Sequence, residues 1–121
     1  MKIRSITVLL VTAISLAAFA SSAGATDVQK VYNHYCAQCH GEKGDGKGPN
    51  APGLTVAPRN HSSAKDMEKL SDKDIHTAIV EGGVAVGKSS SMPVWGKTLT
   101  DAEVNDMVQY LRKLCNCKGP A

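Results

Sequence analysis

The chain places two thiols three positions apart and an imidazole directly after them, in Cys36-Ala37-Gln38-Cys39-His40. This is the C-x-x-C-H spacing by which a c-type haem is attached. Each thiol can form a thioether to one vinyl group of the porphyrin, and the histidine that follows can give a ring nitrogen to the iron. The motif occurs once, so one covalent haem c is expected, held by Cys36 and Cys39 with His40 on the iron. Two other chemistries use paired cysteines. Thioredoxin-like redox sites place the pair after a strand and at the start of a helix, a pattern missing here. A zinc ribbon needs a second ligand pair; Cys115 and Cys117 supply one, but with a one-residue gap that is not the usual spacing. A short chain buries a modest core and generally needs a staple. A covalent apolar plate is such a staple, with short helices packed around it.

The N-terminus reads as an export signal. Lys2 and Arg4 form a charged start, residues 6–20 an apolar run broken only by Thr7, Thr12 and Ser15, and Ala23-Gly24-Ala25 an A-x-A cleavage site. The apolar run is shorter than the ~20 residues of a membrane span, so no stable membrane insertion is expected after cleavage. We therefore divide the chain into a cleaved signal over residues 1–25 and one domain over 26–121. Without Lys2 and Arg4, the 14 basic residues fall into near balance with the 11 acidic ones, a formal charge of about +1. The lysines are scattered and the aromatics few, which argues against a nucleic-acid partner.

The domain reads as all-α. Residues 27–35 predict a helix running into the C-x-x-C-H motif, with Val28, Val31, Tyr32 and Tyr35 on one side. Residues 41–58 are too rich in glycine and proline for regular structure. A short helix is predicted over 63–69. Ser71 caps a helix to about Val80, with Asp74 at N3 and a Leu70–Ile75 staple; Gly82-Gly83 ends it, and residues 87–96 form a loop. Thr100 and Glu103 make a capping box for the last helix, with Leu99 and Val104 as the staple. Val104, Met107, Val108, Leu111 and Leu114 then share one apolar face, with Asp101, Asp106, Gln109 and Arg112 off it.

A second axial ligand has several candidates. Met92 stands in the loop Ser91-Met92-Pro93, where the proline fixes its own φ and biases Met92 towards an extended backbone. A thioether can be held in one orientation that way, and Met92 is the ligand we expect. Met107 belongs to the core face, and Met67 reads as one apolar contact of a short helix. His34, His61 and His76 could each offer a nitrogen but read as surface or capping residues, and His34 is too close to Cys36 to reach the opposite haem face. A histidine ligand and an open position are the alternatives. Trp95, three residues after Met92, is expected beside the haem or its propionate edge, with the indole N–H donating to a propionate.

On these residues the chain resembles a class I cytochrome c of the small bacterial type, over nearly all of the domain. Tyr32 stands four residues before the first motif cysteine, Gly41, Gly44, Gly46 and Gly48 form the glycine-rich loop, and Pro52 and Leu54 follow His40 at the family's spacing. The methionine loop maps onto Ser91-Met92-Pro93, and the C-terminal helix and its aromatic onto Thr100 to Leu114 and Tyr110. The resemblance implies the cytochrome c fold, with three main helices plus short helices and loops around one covalent haem. It implies that the Pro52 carbonyl accepts a hydrogen bond from His40 and orients the imidazole. It also implies that Tyr110 packs on the first helix. Haem attachment outside the cytoplasmic membrane, and thus a periplasmic location, follows from the same likeness. Two departures stand out: Val28 where the family favours glycine or alanine at the helix crossing, and the pair Cys115-Asn116-Cys117. That pair could form a local bridge, remain as tail thiols, link to another chain or bind metal.

Two axial ligands from the chain leave the iron no open position, so the expected activity is one-electron transfer rather than enzymatic catalysis. The expected protein is a periplasmic carrier docking transiently with donor and acceptor redox proteins. The alternative is an electron-transfer subunit bound tightly to one periplasmic or membrane redox enzyme.

Overall fold

Five α-helices and two 3-10 turns make up residues 26–120, which this computed structural model describes. The expected signal over residues 1–25 lies outside the described residues. No strand occurs among the described residues, in agreement with the all-α expectation. Asp27 caps α1 (Val28–Tyr35) by accepting from the Lys30 amide at 3.3 Å. The chain turns at Cys36 and winds at once into α2 (Ala37–His40), so the C-x-x-C-H motif is itself helical. α3 (Ala64–Met67) falls inside the predicted 63–69.

Both predicted capping boxes are formed. Ser71 and Asp74 open α4 (Asp72–Glu81), and Thr100 and Glu103 open α5 (Asp101–Cys115). In each, the hydroxyl accepts from the N3 amide, at 3.1 and 3.3 Å, and the N3 carboxylate accepts from the cap amide, at 2.9 and 2.8 Å. Two otherwise unpaired helix amides are satisfied at each end. The bonds favour the ionised carboxylates. The Ser71 hydroxyl and then its amide hold Asp74 below the usual range, and the Thr100 amide and then its hydroxyl do so for Glu103. Two short turns were not anticipated. Ala51–Gly53 winds within the glycine- and proline-rich stretch, and Gly83–Val86 follows α4 and closes on Gly87 at φ +68°.

The core forms where α1 meets α5. Tyr32 is fully buried, and its ring lies 5.2 Å from that of Tyr110, centroid to centroid. Val104, Met107, Val108 and Leu111 are buried on the predicted face of α5, and Leu114 packs at its edge. Ile75 and Ile79 of α4 and Met67 of α3 complete the cluster. Val28 is half-buried and packs against the core beside Val31, so the larger side chain is accommodated at the crossing.

Arg112 departs from the sequence reading, which set it off the apolar face. It stands four residues after Val108 and three before Cys115, both buried, and is itself 9% exposed. Its guanidinium fork donates to the Met67 carbonyl at 2.8 Å, the Leu70 carbonyl at 2.6 Å and the Asp72 carboxylate at 2.8 Å. One planar cation therefore satisfies the end of α3 and the approach to α4 from a residue of α5. Beyond α5, Asn116 takes a left-handed conformation at φ +48° and Cys115 is bridged to Cys117. The tail turns back so that Gly119 lies against Arg112 and the Leu70 carbonyl.

Three stability measurements test this account. Arg112→Met should cost ~2–4 kcal/mol in denaturant unfolding, because it leaves two carbonyls without donors. Arg112→Lys should recover less than half, since an ammonium cannot reach three acceptors in one plane, and Asp72→Asn should cost below ~1 kcal/mol because that carboxylate is exposed. Truncating Tyr32 or Tyr110 to alanine should cost ~3 kcal/mol or more, and the double mutant should fall short of the sum, because the rings touch. Asp74 and Glu103 have depressed folded-state pKa values, so their contribution is complete above the ordinary carboxylate range and lost as pH falls from there through the lowered folded-state values. Melting curves of Asp74→Asn/Glu103→Gln should therefore decline less steeply than wild type in acid.

Candidate functional site

A four-residue helix cannot hold itself, because its last carbonyls have no partner within it. In α2 the glycine-rich loop supplies the missing donors. Gly46 N–H donates to the His40 carbonyl at 2.8 Å, Gly48 N–H to Cys39 at 3.1 Å, and Asn50 N–H to Gln38 at 2.8 Å. Alternate amides of the loop thus run back along successive carbonyls of the motif. The contact is close enough to demand glycine at 48, where a Cβ would meet the Ala37 and Gln38 carbonyls. Cys36, Cys39 and His40 are fixed by backbone bonds before any cofactor is considered.

His40 is oriented by a second carbonyl. Its Nδ1 lies 2.9 Å from the carbonyl oxygen of Arg59. A carbonyl only accepts, so Nδ1 carries the proton and Nε2 keeps the lone pair that a metal requires. Burial pulls the His40 pKa down, which keeps the ring neutral, while the Arg59 bond opposes that shift. This corrects the expected role of Pro52. The bond from Asn50 to Gln38 ties the Ala51–Gly53 turn to α2, Pro52 is exposed there, and the partner of the His40 Nδ1 is the Arg59 carbonyl. Gly46, tied to His40, lies instead against the carbonyl of Pro58, at 2.8 Å from where a Cβ would stand, so Arg59 is the residue that arrives beside the imidazole.

His61 is a second correction. The sequence suggests a surface or capping residue, yet His61 is 8% exposed and its ring is stacked on His40, with centroids 4.0 Å apart and planes 16° from parallel. Its Nδ1 lies 3.1 Å from the Tyr32 hydroxyl, which is also 3.1 Å from the Gly41 carbonyl. Burial first, then the neighbouring His40 and Arg59, drive the His61 pKa well below its ordinary value.

The methionine loop is held by the same device as the motif loop. At the end of α4, the Ile79 carbonyl accepts from the Trp95 amide at 3.0 Å and the Val80 carbonyl from Gly96 at 3.1 Å. Met92 is fixed on both sides: its amide donates to Ser89 at 3.2 Å and its carbonyl accepts from Gly83 at 3.0 Å. Trp95 packs on Tyr35, ring centroids 5.0 Å apart, next to Cys36 in sequence. The loop carrying Met92 is therefore anchored to α4 by its backbone and to the end of α1 by its tryptophan.

The side chains fit a covalently attached haem. Cys36 and Cys39 are unbridged, whereas Cys115 and Cys117 are paired with each other. Burial, followed by the neighbouring Cys39, pushes the Cys36 thiol up to about 12, which keeps it protonated and slow to oxidise at neutral pH. His40 presents a neutral imidazole with Nε2 available. Val56, Val84 and Val94, between α2 and α5, are large apolar side chains left more than half exposed.

Comparison with known proteins identifies the family. No curated protein matches the sequence. Among solved structures the chain is similar to one in the Kuenenia stuttgartiensis reducing HAO-like protein complex Kustc0457/Kustc0458. The two are 31% identical with a TM-score of 0.58, over 72% of this chain and 40% of that one, so the present chain spans less than half the length of its neighbour. A family model described as cytochrome c oxidase, cbb3-type, subunit III matches residues 23–111. A helical domain with one C-x-x-C-H turn, matched over most of its length, thus belongs to that family of c-type cytochromes and is an electron-transfer protein carrying covalently attached haem c.

Proposed function

We propose that this protein is an exported, periplasmic one-electron carrier in which Cys36 and Cys39 hold the haem, His40 and Met92 bind its iron, and redox partners dock transiently. The observation that carries this reading is the state of the C-x-x-C-H turn: two unbridged thiols and an imidazole whose Nδ1 proton is committed to Arg59, leaving Nε2 to donate. The backbone anchoring of Met92 supports the sixth ligand. No helix among the described residues is long and apolar enough to cross a membrane.

When bound, haem c supplies a one-electron Fe(III)/Fe(II) couple. With His40 and Met92 both holding the iron, substrate and water would have no position on it, and the protein would exchange electrons without bonding to a reactant. A Met92 thioether beside the His40 imidazole would favour the reduced state relative to two histidines. Arg59 holds His40 in one tautomer and makes it a better donor. Trp95 packs on Tyr35, the residue before Cys36, and its indole N–H would suit a propionate.

A second reading has its own support. The similar solved chain is part of a two-protein complex, and the family description is that of an oxidase subunit. This domain would then be an electron entry or exit point bound to one enzyme. Size-exclusion chromatography of native extract separates the two: a carrier elutes as a small protein, and a bound subunit elutes with its enzyme.

Met92→Ala should keep the haem attached and low in yield loss, lower the reduction potential, and let the ferrous protein bind carbon monoxide. A mutant with unchanged potential and no carbon monoxide complex would assign the sixth position elsewhere. For the carrier, with a formal charge of about +1 after signal removal, reduction by a native donor should depend weakly on salt, since exposed charges are screened within ~10 Å at 0.1 M. Lys88→Glu and Lys97→Glu should alter the second-order rate mainly at low salt. A steep salt dependence untouched by either substitution would place docking away from the methionine loop.

A further inference from the structure

We propose that His61 is a positioning residue for the axial imidazole: its ring, stacked on His40, fixes the plane of His40 and so the electronic state of the iron. The inference rests on His40 being the axial ligand. The hydrogen bond from His40 Nδ1 to Arg59 fixes where that nitrogen points. It is tolerant of tilt, because hydrogens approach a carbonyl over a broad range of directions. A parallel ring 4.0 Å away removes the remaining freedom, since any rotation of the His40 plane drives its edge into the His61 face.

His61 can play this part because it is itself immobilised. An aliphatic side chain of similar volume would fill the space but define no plane. An imidazole adds a flat face and a ring nitrogen by which its own rotation can be held. That nitrogen, Nδ1, is 3.1 Å from the Tyr32 hydroxyl, and Tyr32 is fully buried in the crossing of α1 and α5. On the other side the backbone closes tightly. Ser62 N–H donates to the Gly44 carbonyl at 3.2 Å, and a Cβ at Gly44 would stand 3.0 Å from the His61 Cβ. A chain of contacts therefore runs from the helix crossing through Tyr32 and His61 to His40. Groups that orient a metal-binding histidine tune the metal as well as hold the ligand.

The test uses the purified holoprotein and three variants: His61→Phe, which keeps a flat ring; His61→Leu, which keeps apolar volume without a plane; and Tyr32→Phe, which keeps the packing but frees the His61 ring. The readouts are the ferric g-anisotropy by electron paramagnetic resonance, the spread of the hyperfine-shifted haem methyl signals by NMR, and the midpoint potential. His61→Leu and Tyr32→Phe should change the g-anisotropy and the methyl spread while the ferric iron stays low-spin and the haem attached. His61→Phe, which keeps a plane but loses the bond to Tyr32, should shift these signals as Tyr32→Phe does and by less than His61→Leu. Wild-type g-values and methyl pattern in His61→Leu would overturn the proposal. Should that variant fail to fold, the same wild-type pattern in Tyr32→Phe would overturn it. A His40→Ala control separates the underlying reading: if the low-spin ferric spectrum survived there, the ligand assignment would fail rather than the positioning role.

Discussion

Three carbonyl groups at the end of a four-residue helix set the terms for this molecule. α2 carries the two thiols and the imidazole, and it is too short to be stable alone. Its order comes from the Gly46, Gly48 and Asn50 amides, which meet the His40, Cys39 and Gln38 carbonyls in turn. The loop must pass close to do this, so its glycines are a geometric demand of the motif. The same passage brings Pro58 to Gly46 and Arg59 to His40. The position of the ligand's hydrogen-bond partner is thus a downstream result of how α2 is capped.

The opposite loop repeats the solution at the end of α4. Trp95 and Gly96 amides meet the Ile79 and Val80 carbonyls, and Met92 hangs between Ser89 and Gly83. The turn of helix that bears His40 and the loop that bears Met92 are thereby both tied by backbone bonds at a helix C-terminus, so their positions are fixed by the backbone and not by side-chain packing alone. Side chains on rigid, hydrogen-bonded segments are held more closely than those on free loops. In the proposed role of electron carrier, a geometry that need not change between two charge states is the useful property.

Much of this was legible in the sequence. The C-x-x-C-H spacing is a covalent requirement, and the capping boxes at Ser71 and Thr100 place two helix starts where they occur. The apolar period of α5 gives its buried face. What escaped the sequence has a common physical cause. The partner of His40 is a main-chain oxygen, which any residue could supply, so Arg59 carries no signature and the family resemblance implied Pro52 instead. His61 lies in irregular backbone, where periodicity says nothing about burial. Arg112 is a cation on the flank of an apolar stripe, and its burial is decided by acceptors on α3 and α4 that are remote in sequence.

The bridge between Cys115 and Cys117 closes a ring around one residue, and so restrains the unfolded chain far less than a loop of ~15 residues, worth ~3 kcal/mol, would. Its consequence lies in arithmetic more than in stability. Four cysteines can be joined in pairs in three ways, two of which link the tail to the C-x-x-C-H turn. Once the tail thiols have found each other, the only disulfide left to form within the chain is the one between Cys36 and Cys39. Pairing at the C-terminus thus steers the remaining two thiols clear of long-range cross-links while they are still reduced.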